Sequence, residues 1–226
     1  MAPKAVVLLS GGIDSAVAAA FAKSKGYEIL ALTVDYGQRH SKEIRAARKV
    51  SEGLGASEHK VLRVDLSQFG GSALVDSRLK VPEARDRKEI GGNIPITYVP
   101  ARNTVLLGLG LSWAEAVGAD AVFIGAHAVD YSGYPDCRPE FLDAFRKVSA
   151  LGTKRGVEGK AVKIEAPLVD MGKTEIVKLG KELRVPFELT RSCYSGGEKA
   201  CGVCDSCIIR LEAFKEAGIA DPIEYR

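Results

Sequence analysis

The sequence has no long hydrophobic run. Its longest uncharged apolar stretch, residues 103–114, is well short of the roughly 18–20 residues that a membrane-spanning helix requires. The apolar run near the N-terminus is also short, because it breaks at the Ser-Gly-Gly of residues 10–12. We therefore expect a soluble, unprocessed chain with no membrane partner.

Neither sign of charge dominates, and the chain has no internal repeat. Its 32 lysines and arginines against 29 aspartates and glutamates give a formal net charge of +3, which is too mild to imply nucleic-acid binding by bulk electrostatics. With 46% hydrophobic residues, 24 glycines and 9 prolines among 226 residues, the composition excludes a disordered or collagen-like chain. It predicts a globular protein that binds any anionic ligand through a local site.

Cysteine is scarce and unevenly placed. There are five cysteines, and four of them lie within residues 193–207. A disulfide scaffold would spread its cysteines through a smaller, secreted chain. The distribution favours a reduced, cytoplasmic protein with a metal site near its C-terminus.

Short apolar runs alternate with helical patterns along most of the chain. Runs of the kind buried in a parallel sheet occur at residues 5–9, 29–34, 61–64 and 121–124, and helical patterns occur at residues 14–25, 41–54 and 104–117. This alternation predicts an α/β fold with a doubly wound, mostly parallel sheet. Ligands are then expected beyond the carboxyl ends of the strands.

Two segments depart from this alternation. Residues 76–93 are rich in charge and glycine, and they are interpreted either as a lid over a site or as a solvated connection. Residues 190–226 form a cysteine-rich tail whose helical pattern over 205–217 ends at Gly218. We therefore predict a nucleotide-binding α/β domain over residues 1–189 and a small metal-binding helical tail over residues 190–226.

The tail contains a candidate metal site. Cys193, Cys201, Cys204 and Cys207 are separated by seven, two and two residues, a spacing that allows short loops to present four thiolates tetrahedrally. Zinc is the leading interpretation, and an iron-sulfur cluster is the alternative, although the cysteine and proline that continue a ferredoxin run are missing. A closed four-thiolate site is structural, so chelation is expected to loosen the tail before it alters any chemistry.

The turn after the first predicted strand is a candidate phosphate site. The string S-G-G-I-D-S at residues 10–15 joins a buried strand to a helix, where unpaired N–H groups and the helix dipole favour an anion. Glycines permit close backbone approach there. The Walker pattern and the dinucleotide fingerprint are both absent. By itself, the glycine pair is also compatible with a purely structural turn.

The full string resembles the pyrophosphate-binding loop of the PP-loop ATP pyrophosphatases. That resemblance implies an adenine nucleotide alpha-hydrolase-like, Rossmann-like fold and cleavage of ATP between its α and β phosphates. The implied nucleotide-binding residues are Ser10, Gly11, Gly12, Ile13, Asp14 and Ser15. Asp14 is interpreted as a Mg²⁺ ligand or as a first-turn acid of the helix. Lys173 in P-L-V-D-M-G-K-T-E-I matches the second landmark of these enzymes and is expected to meet the phosphates; without that context it is an exposed first-turn lysine.

Four further motifs narrow the resemblance. D-Y-G-Q-R-H at residues 35–40, V-P-A-R-N at 99–103, D-Y-S-G-Y-P-D-C-R at 130–138 and the four-cysteine tail look like the 7-cyano-7-deazaguanine synthase family, also called the QueC family. The resemblance implies conversion of 7-carboxy-7-deazaguanine to the nitrile with ammonia and ATP, through an adenylated carboxylate and an adenylated amide, on the route to queuosine. It also implies zinc at the cysteines and a homodimer.

The residues between 130 and 138 suit a guanine-like substrate. A carboxylate accepts two neighbouring N–H donors, and aromatic rings stack on a flat base. The candidate substrate-binding residues are Asp130, Tyr131, Tyr134, Asp136 and Arg138. Arg102, a candidate catalytic residue with Asp14 and Lys173, could hold either the substrate carboxylate or ATP phosphates, as could Arg138. Aspartate and tyrosine are also common turn formers.

Several roles and rival functions stay open at this stage. Cys137 is either a nucleophile or a small buried side chain, and His40 and His127 are either proton carriers or structural. No segment fits a glutamine-hydrolysing domain, so free ammonia is the expected nitrogen donor. The competing hypotheses are another PP-loop enzyme, such as a tRNA thiolase, and a zinc-containing nucleic-acid-binding regulator.

Overall fold

The computed structural model describes residues 2–38, 42–83, 94–127 and 133–226. Strands within these ranges are β1 (Lys4–Leu8), β2 (Glu28–Asp35), β3 (Glu58–Arg63), β4 (Ala121–Phe123) and β5 (Lys163–Glu165). Helices are α1 (Ile13–Ser24), α2 (Lys42–Leu54), α3 (Arg102–Val117), α4 (Pro139–Gly152), α5 (Lys154–Val157), α6 (Lys173–Glu182) and α7 (Asp205–Glu216). Short 3-10 turns occupy Leu66–Phe69, Pro135–Cys137 and Phe187–Leu189.

The five strands form one parallel sheet in the order β3-β2-β1-β4-β5. Strand β1 is central, and its Val6 lies opposite Leu30 of β2 on one side and Val122 of β4 on the other. The strand order reverses at β1, which opens a crevice beyond the carboxyl ends of β1 and β4. The predicted doubly wound α/β fold is confirmed.

Helices cover both faces of the sheet because β1 is apolar on both faces. Ala5 and Val7 pack into a core shared with α1, α2, α6 and α7, whereas Val6 and Leu8 pack into a second core with α3 and α4. Successive side chains of a strand point to opposite faces, so one apolar run serves two cores. This arrangement fixes the end of β1 between two rigid layers, where the loop of residues 10–15 begins.

The cysteine-rich tail packs on the first of these cores. Phe214 of α7 is buried, and its ring contacts the ring of Phe187 edge-on at 5.1 Å. The buried guanidinium of Arg210 donates to both carboxylate oxygens of Asp221 at 2.8 Å and to Thr190 Oγ1 at 2.8 Å. Helix α7 begins where the sequence predicted. The domain boundary between residues 189 and 190 stays a prediction.

The predicted lid lies partly outside the described residues. Its residues 76–83 contain no helix or strand, and Glu83 pairs with Cys204 in an isolated antiparallel bridge. Residues 84–93 are not among those the structure describes, so the lid hypothesis stays a prediction. Within the described part of the chain, no helix is both long enough and apolar enough to cross a membrane.

Candidate active site and metal centre

The loop between β1 and α1 is held by close contact with α2. Gly11 has φ of +85°, and a Cβ there would lie 2.6 Å from Ala47 N and 2.7 Å from Glu43 O. Both the backbone conformation and the lack of space therefore require glycine at this position. Gly12 is the extended N-cap residue of α1, so the free N–H groups of the first helical turn face the crevice.

Two serine hydroxyls brace this loop. Ser10 Oγ and Ser15 Oγ lie 3.0 Å apart, and the Gly12 N–H donates to Ser10 Oγ at 3.3 Å. Ser15 Oγ in turn donates to Gly12 O at 3.1 Å. The loop therefore presents hydroxyls and backbone donors on a short arc at the positive end of a helix, which is a geometry that binds phosphate.

Asp14 and Lys173 form a close ion pair at the mouth of this loop. Lys173 Nζ donates to both carboxylate oxygens of Asp14 at 2.6 Å, and His127 Nε2 lies 3.6 Å from Asp14 Oδ2. Burial raises the pKa of Asp14, but Lys173 and His127 outweigh that effect and hold this pKa well below its usual range. The pair brings together two residues 159 positions apart, both of which the sequence singled out.

Gly125 allows β4 to approach the start of α1. A Cβ on Gly125 would lie 2.8 Å from Asp14 C and 2.9 Å from Ser15 N. Backbone atoms cannot yield to such a contact, so only glycine fits here. His127, two residues further on, is buried and directed at the Asp14–Lys173 pair.

These groups line a cavity of about 300 Å³ at the carboxyl ends of β1, β2 and β4. Seven of the predicted site residues line it: Ser10, Gly12, Asp14, Ser15, Arg102, Tyr134 and Lys173. Gly11 and Ile13 instead support the loop from behind, and Ile13 is fully buried in the core. Asp130 and Tyr131, and also His40, lie outside the described residues.

Two predicted substrate residues point elsewhere. The Asp136 carboxylate accepts a hydrogen bond from the Asn103 N–H at 2.9 Å, so it caps the start of α3. Arg138 is exposed beside Glu140 in a separate shallow pocket. Tyr134 does face the cavity, and its hydroxyl lies 3.1 Å from Thr97 Oγ1. The described members of the predicted substrate set are therefore divided: Tyr134 faces the cavity, Asp136 supports its wall, and Arg138 lies in the separate pocket.

A second polar group in the cavity surrounds Arg102. Its guanidinium lies over the ring of Tyr36, with Cζ 5.6 Å from the ring centroid, and its buried Nε has no hydrogen-bond partner among the described residues. Burial raises the pKa of the nearby Glu43 to about 7, although Arg102 and Arg191 act to lower it. Burial and Glu43 together raise the pKa of Tyr36 to about 12.

Cys137 also lines the cavity. It is buried, and Asn103 Nδ2 donates to its Sγ at 3.1 Å. This contact fits a packed thiol held by the start of α3. It assigns Cys137 no chemical step.

The four tail cysteines converge on one point. Their sulfur atoms all lie within 4.8 Å of one another, and Cys201 Sγ and Cys207 Sγ are 3.9 Å apart. Tetrahedral zinc with Zn–S bonds of about 2.3 Å places its sulfur ligands about 3.8 Å apart. The N–H groups of Ser195 and Cys201 donate to Cys193 Sγ at 3.4 and 3.3 Å, which stabilises a thiolate. The donor set and its spacing fit a structural zinc ion.

Comparison with protein-family models gives one match that spans this entire arrangement. The model described as queuosine biosynthesis protein QueC matches residues 4–218, from the first residue of β1 to just beyond α7. The chain belongs to the QueC family. The match includes the loop at residues 10–15, Lys173 and all four tail cysteines.

Curated relatives of this QueC chain share about half of its residues. A protein of Dechloromonas aromatica is 54% identical over 228 residues, covering 100% of both chains, and one of Trichodesmium erythraeum is 53% identical over 220 residues, covering 97% of this chain and 99% of the relative. Both are named 7-cyano-7-deazaguanine synthase.

Solved structures of lower identity share the fold of this QueC chain. The NMN synthetase of Francisella tularensis superposes with a TM-score of 0.51 at 19% identity and covers 97% of this chain and 79% of its own. A predicted tRNA methyltransferase subunit of Methanocaldococcus jannaschii gives a TM-score of 0.51 at 18% identity, covering 99% and 92%. These likenesses extend the doubly wound α/β architecture to other proteins.

Sequence reasoning missed several residues of the QueC cavity. Glu43 enters it because α2 packs against Gly11, and Arg191 and Tyr194 enter it because the tail folds back along the loop. None of these contacts leaves a local pattern in the sequence. Tyr36 did carry a signal, since it belongs to the D-Y-G-Q-R-H string, but the string alone gave it no role.

Proposed function

We propose that this chain is a 7-cyano-7-deazaguanine synthase, which makes its nitrile product from 7-carboxy-7-deazaguanine, ammonia and ATP as a step of queuosine biosynthesis. The observation that carries the proposal is its 54% identity, over the full length of both chains, to a relative of that name. The ion pair at the phosphate-type loop supports the same activity, because the reaction needs ATP cleaved between its α and β phosphates.

The loop at residues 10–15 is the proposed site of the β and γ phosphates of ATP. Its helix N-terminus and serine hydroxyls stabilise charge that develops on the leaving pyrophosphate. Lys173 is the proposed phosphate-binding cation, and Asp14 the proposed carboxylate ligand of Mg²⁺, which prefers oxygen ligands. Their present contact keeps both charges compensated in a half-buried site.

Arg102 is the proposed anchor of the substrate carboxylate. Its guanidinium lines the cavity, and within the described part of the chain its buried Nε–H donates to no acceptor. A planar fork of this kind matches a carboxylate in two hydrogen bonds. Tyr134 offers an aromatic face on the same wall. Asp130 and Tyr131 are the further proposed substrate residues of this segment, and Asp136 supports the cavity wall by accepting a hydrogen bond from the Asn103 N–H.

The proposed chemistry has two activation steps. The acid attacks the α phosphorus of ATP and releases pyrophosphate, and ammonia then displaces AMP to give the amide and one proton. A second ATP adenylates the amide oxygen, with release of pyrophosphate and of one N–H proton. Loss of AMP with the remaining N–H proton then gives the nitrile. Glu43 is the proposed proton acceptor, because a cavity carboxylate with a pKa of about 7 accepts a proton at neutral pH.

Zinc takes no part in these steps in the proposed scheme. Cys193, Cys201, Cys204 and Cys207 would hold it in a closed site without an open coordination position, and it would supply folding free energy to the tail. Free ammonia and a homodimeric assembly are the further parts of the proposal.

The direct test is incubation with ATP, magnesium, ammonium and 7-carboxy-7-deazaguanine, followed by mass spectrometry. Two AMP and two pyrophosphate per nitrile support the proposal, whereas ADP or no nitrile contradicts it. Replacing the acid with unmodified tRNA and a sulfur donor tests the tRNA thiolase alternative. Salt-dependent binding to RNA or DNA without turnover would favour the nucleic-acid-binding alternative.

A further inference from the structure

Arg191 lies where the cysteine-rich tail meets the loop of residues 10–15. Its backbone N–H donates to Gly11 O at 2.8 Å. Its own carbonyl oxygen would lie 3.7 Å from a Cβ placed on Gly12, so the two backbones are in contact. This segment of the tail therefore runs directly along the loop and leads, two residues later, to Cys193.

The side chain of Arg191 points into the cysteine loop. Its guanidinium donates to Glu198 O at 3.2 Å and also to Gly197 O, both between Cys193 and Cys201. The Cys201 N–H in turn donates to Cys193 Sγ at 3.3 Å, so the sulfur cluster fixes the ends of the same loop. Arg191 thus contacts the loop of residues 10–15 through its backbone and the segment between Cys193 and Cys201 through its side chain.

The tail also forms one wall of the cavity. Ser192, Tyr194, Ser206 and Ile209 line it, and each lies within two positions of a cysteine in the chain. A metal that orders the cysteines therefore also orders groups that face the proposed nucleotide. The cysteine tail and the proposed nucleotide site therefore share one wall of the cavity.

We propose that Arg191 is a positioning residue that couples metal binding at the four cysteines to nucleotide binding at the loop of residues 10–15. The inference rests on the proposed function for the presence of ATP at that loop. Such coupling is reciprocal: if the metal raises nucleotide affinity by some factor, the nucleotide raises metal affinity by the same factor.

The test measures the zinc affinity of the holoenzyme by competition with a chelator of known affinity. Measurements are made with and without saturating α,β-methylene-ATP as its magnesium complex, which the enzyme cannot cleave. In the wild-type protein we expect the nucleotide analogue to raise zinc affinity on the order of tenfold. In Arg191→Met this factor falls to about one, because the backbone contact with Gly11 remains while the contact with the cysteine loop is lost.

Glu198→Ala is the matched control. Its exposed side chain pairs with Lys42, whereas the carbonyl that Arg191 binds belongs to the backbone and stays. The nucleotide effect on zinc should therefore persist in this variant. Arg191→Lys, which keeps the charge but cannot hold two carbonyls in a planar fork, should restore only part of the effect.

Three outcomes overturn the inference. If wild-type zinc affinity is unchanged by bound nucleotide, no coupling exists, and this result needs no variant. If Arg191→Met weakens nucleotide binding but keeps the wild-type zinc effect, Arg191 contacts the phosphates only. If the wild-type holoenzyme binds no nucleotide analogue, the proposed function fails together with the inference, and direct calorimetry of nucleotide binding separates this case from the first.

Discussion

The Lys173 ammonium lies 2.6 Å from each carboxylate oxygen of Asp14, across the crevice between the first residues of α6 and α1. A cation is unfavourable at a helix N-terminus, where the dipole is positive. The Asp14 carboxylate offsets that cost by pairing with the ammonium. Asp14 is itself favourably placed, because it lies in the first turn of α1, where the helix dipole favours an anion. A nucleotide phosphate bound at the loop of residues 10–15, as proposed, would compete with Asp14 for the same ammonium, so nucleotide binding should redistribute these charges.

We expect Asp14→Asn and Lys173→Met each to reduce AMP formation by about a hundredfold or more, since both remove a charge that the proposed mechanism uses to stabilise the developing pyrophosphate. AMP release is measured by chromatography at saturating acid and ammonium. Lys178→Met, at an exposed position of the same helix, serves as the control and should keep the wild-type rate.

Urea unfolding distinguishes the loss of the Asp14–Lys173 ion pair from general misfolding of the variants. Lys173→Met leaves the Asp14 carboxylate without its main partner, so it should be less stable to urea than the double variant with Asp14→Asn. Equal stability of the two proteins, or unchanged AMP formation in Lys173→Met, would contradict the assigned geometry.

Glu43 should make stability depend on pH. Its pKa in the folded protein, about 7, lies above its usual value, so the folded state binds more protons than the unfolded state between about pH 4.5 and 7. Stability contributed by the protonated carboxyl is therefore lost as the pH rises through this window. Glu43→Gln removes the effect. We therefore expect the thermal midpoint of this variant, relative to that of the wild type, to be higher at pH 8 than at pH 5.

The control for this prediction is Glu52→Gln on the same helix, at an exposed position. Its thermal midpoint should differ from that of the wild type by the same small amount at both pH values. A constant difference for Glu43→Gln as well would mean that burial does not perturb this carboxyl in the folded protein.

The cysteine cluster predicts a selective effect of substitution on metal content. Cys207→Ser removes one of four converging sulfur ligands, so zinc measured by atomic emission should fall from about one per chain to a small fraction. Because metal binding contributes folding free energy, the variant should also unfold at lower temperature. Cys137→Ser, whose thiol contacts Asn103 far from the cluster in sequence, should retain zinc. Equal loss in both variants would argue against the site.

The sequence predicted most of what depends on local pattern. The runs that form β1, β2 and β4 are apolar on both faces, and the glycine turn after β1 sits at a strand-to-helix junction, so both stand out without a structure. Strand β5 does not stand out in the sequence, because its Lys163–Glu165 segment is only three residues long and polar at both ends. Helix α4 has an apolar face, but the turn-rich segment directly before it obscures its start in the sequence.

The parts of the site that could not be predicted depend on contacts between distant segments. Asp136 looks like a free ligand in its string, yet its carboxylate caps α3 at Asn103. Glu43 looks like an ordinary first-turn acid, yet the approach of α2 to Gly11 leaves it half-buried near Arg102. In both cases the role follows from which helix end packs nearby, and that is decided by the tertiary fold.

Gly125 provides a test of how closely the end of β4 must approach the loop of residues 10–15. An added Cβ would lie within 3.0 Å of three backbone atoms of Asp14 and Ser15, so Gly125→Ala must push β4 away from α1. We expect a stability loss of about 1–3 kcal/mol and weaker binding of α,β-methylene-ATP. Gly108→Ala is the counterpart. Gly108 lies exposed inside α3, and beyond the backbone of its own helix no atom lies within 4 Å of the added Cβ, so this variant should be more stable by about 0.5–1 kcal/mol. Urea unfolding and calorimetry measure both. If Gly125→Ala lowers stability but leaves nucleotide affinity unchanged, the first turn of α1 does not bind the phosphates.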